Sequence, residues 1–206
     1  INIAINKEYI EIQKYAFRKY KIKTVENKHT HLVPEELEQL ERLSLTGKHM
    51  KLQKSLDAFL FCCYAGMRYS DFTNLSKKNI VDINQETWLI YKSVKTGTEV
   101  RLPLYLLFAG KGIVILNKYR NNLEDFFRLR DNSNINKDLI IIAKLAGLSK
   151  KISFHTARHT NATLLIYNGV NITTVQKLLG HKSVKTTQVY TNIMDMTIVH
   201  DLEKMK

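Results

Sequence analysis

Cysteine is nearly absent from this sequence. There are two among 206 residues, Cys62 and Cys63, adjacent within an apolar run. Adjacent cysteines make poor disulfide partners, and no second pair exists to complete a thiolate metal site. A disulfide scaffold is thereby excluded, and the pair is expected to pack a core in a reducing compartment. Long apolar runs are missing too, since no stretch approaches the roughly 20 residues that a membrane span needs. The opening "INIAINKEYI" has no initiator methionine, no basic region ahead of an apolar one and no signal-cleavage motif. Two expectations follow: a sequence that begins partway through a longer chain, and a cytoplasmic protein. There is no internal repeat and no low-complexity segment.

Negative charge is also in short supply. Aspartate and glutamate number 19 against 32 lysines and arginines, for a net charge of +13 and a pI near 9.6. Such a surplus at ordinary hydrophobicity favours a polyanionic partner, with nucleic acid first. The bland alternative is solvated lysine of the kind that AT-rich coding produces.

Apolar positions in residues 1–20 recur at helical spacing (Ile5, Tyr9, Ile12) and give way to the polar "KIKTVENKHTH", which reads as a linker. "PEELEQLERL" opens a helix with Pro34 at its first position and glutamates in its first turn. A helix is predicted over 49–65, with Leu52, Leu56, Phe59, Leu60 and Cys63 on one face and Gly66 as its stop. Ser70 is expected to cap a short helix through Leu75. The pattern then turns to β: "NIVDI", "TWLIY" and "EVRLPL" predict a small three-stranded antiparallel sheet. Helices follow near 111–120, 121–130, 135–147, 156–168, 172–179 and 184–190, and in a tail beyond Met194, with Gly169 and Gly180 as C-caps. The fold class is α+β, mainly α-helical.

Several polar residues ask for an explanation. "LLGHKSVKTTQVYTNI" sets His181 after a helix-ending glycine and Tyr190 nine residues later. That reads equally as a helix-turn-helix or as the end of an active site. In "FHTARHTNATLLIY", His155 and Arg158 share a helix face. His155 and His159, four apart, invite a metal reading, but the glutamate of His-Glu-x-x-His is absent and no carboxylate cluster supplies other ligands. Neither a metal nor a cofactor is expected. Taken alone, His155 reads as a helix cap and Arg158 as surface charge. Arg68, just past the Gly66 stop, requires an anion or a carboxylate, and Asp71 could orient it or simply pair with it. Lys95 lies at a hairpin tip, where a lysine is usually just solvated.

Together, "AGMRYSDFTNL", "KTGTEVRLPL", "FHTARHTNAT" and "LLGHKSVKTTQVYT", in this order, resemble the catalytic domain of the tyrosine recombinase (phage integrase) family over residues 29–192. The texture is similar to integrases of bacterial mobile elements such as Bacteroides conjugative transposons. The resemblance implies that residues 1–25 are the end of a truncated core-binding domain with its linker. Residues 26–206 would then be the catalytic domain with its C-terminal tail helix. It implies a site-specific recombinase acting on double-stranded DNA through a 3′-phosphotyrosyl intermediate, a homotetramer during synapsis and a monomer off DNA. Arg68, Lys95, His155, Arg158, His181 and Tyr190 would be its catalytic residues, with Asp71 in support. Asn161 departs from the family's usual aromatic, and Val33 stands where a capping Ser or Thr is common.

The chemistry suits these residue types. A tyrosine attacking phosphorus conserves the bond energy in a phosphotyrosyl ester. Two guanidiniums match the phosphate's geometry and stay charged at any working pH, with His181 adding a hydrogen bond. His155 is assigned to accept the tyrosine proton, and Lys95 to protonate the leaving 5′ oxygen. Two alternatives stand beside this reading: a helix-turn-helix regulator reading DNA with residues 172–190, and a type IB topoisomerase. The tail positions Ile193, Met196, Val199 and Met205 would dock on a neighbouring protomer or on the chain's own core.

Overall fold

A computed structural model describes residues 2–9, 11, 13 and 30–191. Its centre is α3 (Gln53–Ala65), in which every residue from Ser55 to Ala65 is buried. That follows from "SLDAFLFCCYA", which is apolar almost all round. The chain enters α3 through a 3-10 turn, Gly47–Leu52, where the sequence predicts regular helix from 49.

α3 packs against α7 (Asn132–Leu145) and α8 (Phe154–Tyr167), whose N-cap positions are Asp131 and Ser153. Both start two or three residues earlier than predicted: Asp131 Oδ1 accepts from the Asn134 N–H, and Asn136 Oδ1 from the Phe154 N–H. The sheet is made of β1 (Ile80–Ile83), β2 (Glu86–Lys92) and β3 (Glu99–Pro103), antiparallel in the order β1-β2-β3. Leu89 pairs with Leu102 and Tyr91 with Val100, so these four face the core together. The β1–β2 turn places Asn84 and Gln85 both at positive φ, as a two-residue hairpin loop demands.

An aromatic cluster welds the short helices to this frame. Phe72 from α4 (Tyr69–Thr73) meets Phe126 and Phe127 from α6 (Leu123–Phe127), with ring centroids 5.3 and 5.5 Å away. Each such buried ring contributes about 2–3 kcal/mol. Cys62 and Cys63 are fully buried here, and desolvation pushes both thiols well above their ordinary pKa. α2 (Pro34–Glu41) is preceded by Val33, whose N–H is capped by the Glu36 carboxylate at 2.9 Å. That bond offsets the missing Ser or Thr.

Three expectations shift. The N-terminal helix, α1, covers only Asn2–Asn6, and Glu8 at φ 61 breaks it, leaving Tyr9 exposed. Arg68, in an extended conformation, occupies the N-cap position of α4 without a side-chain capping bond, and Ser70 lies inside the helix. The helices predicted near 111–120, 121–130 and 184–190 are α5 (Lys111–Lys118), α6 and α10 (Lys185–Gln188), each shorter than expected. α9 (Ile172–Leu179) matches its prediction. Ile12, most of the linker and the tail beyond Thr191 lie outside the described residues. Among the described residues, no helix is long and apolar enough to cross a membrane.

Candidate active site

Two helices end where the site begins. α3 stops at Gly66 and α9 at Gly180, both left-handed, at φ 67 and φ 63. Each end leaves carbonyls without intrahelical partners, at the negative pole of a helix dipole. Arg158, early in α8, bridges the two. Its Nη1 donates to Gly66 O and its Nη2 to Leu179 O, both at 2.7 Å. The residue is 1% exposed, and a guanidinium so deep usually requires a carboxylate. Here two helix ends supply the acceptors. Burial, and then the charge of Arg68, push its pKa down to about 10, so it remains a cation at neutral pH.

Asn161, one turn further along α8, explains its departure from an aromatic. Its Nδ2 donates to Cys63 O at 2.9 Å and Tyr64 O at 3.0 Å, satisfying two more of the orphan carbonyls of α3. Its Oδ1 crowds Gly66, where a Cβ would lie only 2.5 Å away. So α8 grips the end of α3 with two side chains, and the chain leaves that grip directly into Arg68.

Arg68 Nη1 donates to Ser93 Oγ at 3.3 Å and to Asp71 Oδ2 at 3.5 Å. Among the described residues, its remaining N–H groups meet no protein acceptor. Asp71 is buried and also accepts from the Val94 N–H at 2.8 Å, which fastens the β2–β3 turn beneath Arg68. Lys95 is exposed in that turn. Its neighbour Thr96 donates to Gly180 O at 3.2 Å, tying the hairpin to the end of α9.

His181 follows Gly180, with Nδ1 2.9 Å from Thr187 Oγ1. When that hydroxyl donates, the ring proton sits on Nε2. Burial first, then Arg158 and Arg68, depress its pKa to about 4, so the imidazole is neutral at pH 7. Tyr190 is 5% exposed and its hydroxyl lies 3.1 Å from Nδ1 of His159. Burial raises its pKa, while the same two arginines pull it down. The fields of both guanidiniums therefore reach the phenol.

The structure thus gathers Arg68, Asp71, Arg158, His181 and Tyr190 around one point and puts Lys95 on the adjoining turn. His155 is exposed in the first turn of α8, after the Ser153 cap, with its ring edge-on to His159 at 4.5 Å between centroids. The sequence reading put the proton acceptor at His155, whereas the bond to the Tyr190 hydroxyl described here is made by His159. Sequence reasoning passed over His159 because it weighed that residue only as a metal ligand. It also missed Ser93, Thr96 and Thr187, whose partners lie far along the chain or across a turn. Among the described residues, no group of three or more His, Cys, Asp or Glu is arranged to hold a metal ion.

The comparison with known proteins bears on family and fold. The sequence model of the Phage integrase family matches residues 30–196. A tyrosine recombinase of Pseudothermotoga lettingae is 30% identical over 179 residues, covering 84% of this chain and 60% of that protein. Two solved structures share the fold at 19% identity. A lambda integrase (75–356) dimer bound to a COC′ core site superposes with a TM-score of 0.70, covering 94% of this chain and 69% of that one. A lambda integrase tetramer bound to a Holliday junction gives 0.68, covering 90% and 55%. A helix-turn-helix reader is a poor match, because α10 has four residues, little more than one turn. With a family match across most of its length and the shared fold of a tyrosine recombinase catalytic domain, the chain belongs to the phage integrase family.

Proposed function

We propose that this chain is the cutting and rejoining domain of a site-specific DNA recombinase, with residues 1–25 the end of a preceding DNA-binding domain and 26–206 the catalytic part. The observation that carries the reading is Arg158: a buried guanidinium with no carboxylate partner among the described residues, next to a second arginine, with the Tyr190 hydroxyl in the field of both. Two neighbouring guanidiniums against the single Asp71 carboxylate leave positive charge that suits an anion. A DNA phosphate, with two non-bridging oxygens and a charge that grows toward the transition state, matches that need.

In this reading Tyr190 attacks phosphorus and forms a 3′-phosphotyrosyl ester. Arg68 and Arg158 hold the non-bridging oxygens, and His181 donates from Nε2. Asp71 orients Arg68. Lys95 enters from the hairpin to protonate the leaving 5′ oxygen, and His155 meets the phosphate from the solvent side. Burial of Arg158 and Tyr190 protects the ester from water. The roles need no metal and no cofactor. The relatives of known fold are bound to DNA as a dimer and as a tetramer. By analogy the partner here is double-stranded DNA, bound by a homotetramer during synapsis and by a monomer beforehand, in the cytoplasm.

The test is capture from a pool of nicked duplexes with a randomised core, incubated with the protein in excess EDTA. A denaturant-resistant protein–DNA adduct enriched in one sequence is expected. Retention of DNA with no adduct would mean a regulator. Adducts without sequence preference, with relaxation of supercoiled plasmid, would mean a topoisomerase. Activity abolished by EDTA and restored by Mg²⁺ would contradict the arginine-based site.

A further inference from the structure

We propose that His159 is the group that takes the proton of Tyr190 during strand cleavage and returns it during rejoining. The inference rests on reading Tyr190 as the nucleophile. Nδ1 of His159 lies 3.1 Å from the Tyr190 hydroxyl, with ring centroids 5.6 Å apart. That is within the reach a general base requires. His159 is buried and adjoins Arg158, so one turn of α8 fixes both the phosphate clamp and the proton acceptor. Burial keeps the resting tyrosine a phenol, so a nearby base is needed. His155 is exposed, with its ring in an edge contact with that of His159.

The step balances as follows. His159 begins neutral, with its hydrogen on Nε2 and a lone pair on Nδ1. The phenol proton passes to Nδ1 while an oxygen lone pair of Tyr190 forms the new bond to phosphorus. The bond from phosphorus to the 5′ oxygen breaks, and that oxygen takes a proton from Lys95. His159 is left an imidazolium. In the reverse step the 5′ hydroxyl attacks, Lys95 recovers its proton, and Nδ1 returns its own to the departing phenolate. A bound phosphate offsets the positive charge of Arg158, Arg68 and the imidazolium together. Proton transfer is therefore coupled to substrate occupancy.

A fluorinated tyrosine at position 190 distinguishes a proton acceptor from a merely structural neighbour. Lowering the phenol pKa removes the need for a base without altering the ring's shape much. With the duplex recovered from the capture pool, His159→Gln should slow adduct formation by about 100-fold or more, the usual scale of general-base catalysis. Trifluorotyrosine at 190 should remove most of that loss, and should not relieve the defect of His155→Gln. An undiminished rate in His159→Gln, or a defect unchanged by fluorination, would overturn the proposal. Should His159→Gln fail to fold, ¹⁵N-histidine NMR of the native protein decides: Nδ1 of His159 should be unprotonated and should shift in Tyr190→Phe. A protonated Nδ1 in the native protein would overturn it equally. An adduct that never forms in the native protein, or that forms elsewhere, would instead defeat the nucleophile assignment.

Discussion

At the scale of single residues, this site works by giving buried polar groups unusual partners. Asn161 is the clearest case. Its amide satisfies Cys63 O and Tyr64 O from a fully packed position, so Asn161→Leu leaves two carbonyls unpaired. The expected loss is about 2–6 kcal/mol, from about 1–3 kcal/mol per buried group, read as a drop in the urea midpoint. A stability within about 0.5 kcal/mol of the native protein, the spread usual at neutral surface sites, would show that the two amide bonds contribute nothing. His181 gives a second prediction, with the sign fixed by its depressed pKa. The unfolded chain binds a proton near pH 6.5 and the folded one near 4. The stabilisation is therefore complete above the unfolded value and is lost as pH falls toward 4. Urea midpoints should decline over that window, and His181→Asn should flatten the decline. An unchanged profile would mean that another group carries it.

At the scale of elements, the helix ends and the hairpin act as one assembly. Gly66 and Gly180 need glycine twice over, for positive φ and for close approach. An added Cβ at Gly180 would lie 2.6 Å from Val100 Cγ2 of β3, whereas at Gly147, also at positive φ (+75), it would meet nothing within 4 Å. Gly147→Ala should cost about 1 kcal/mol from backbone strain alone, and Gly180→Ala about 2–4 kcal/mol once overpacking is added. Equal losses by thermal or chemical denaturation would contradict the packing account. Thr96→Val removes the bond from the hairpin to Gly180 O and should slow cleavage about 5- to 10-fold, at roughly 1 kcal/mol for such a bond, with little change in DNA affinity. These links also explain what was legible in the sequence. The sheet, α3 and α9 followed from short-range signals: alternation, an apolar face, a glycine stop. The early starts of α7 and α8 came with side-chain acceptors, Asp131 and Asn136, that lie outside the apolar pattern. The candidate set was proposed from four motifs that occur in order, but the helix-end acceptors of Arg158 were not legible. Leu179 is 21 positions away and Gly66 is 92, and backbone carbonyls carry no residue-type signal.

At the scale of the whole molecule, a net charge of +13 and a site built of paired arginines point to the same polyanion. Duplex affinity should fall steeply with salt, by about 100-fold or more between 50 and 200 mM if several phosphates are neutralised. A flat salt response would assign the lysine surplus to solvation alone. The central claim is narrower: Tyr190, held among Arg158, Arg68, His181 and His159, is the atom source of the covalent bond. The direct measurement is peptide mapping by mass spectrometry of the adduct formed by native protein, with Tyr190→Phe run beside it. That substitution deletes one oxygen and keeps the ring, so folding and DNA affinity should change little. The account predicts a 3′-phosphotyrosyl group on the peptide containing Tyr190, and no adduct at all from Tyr190→Phe. An adduct that persists in Tyr190→Phe, or that maps to Tyr167 or to Thr191, would contradict it.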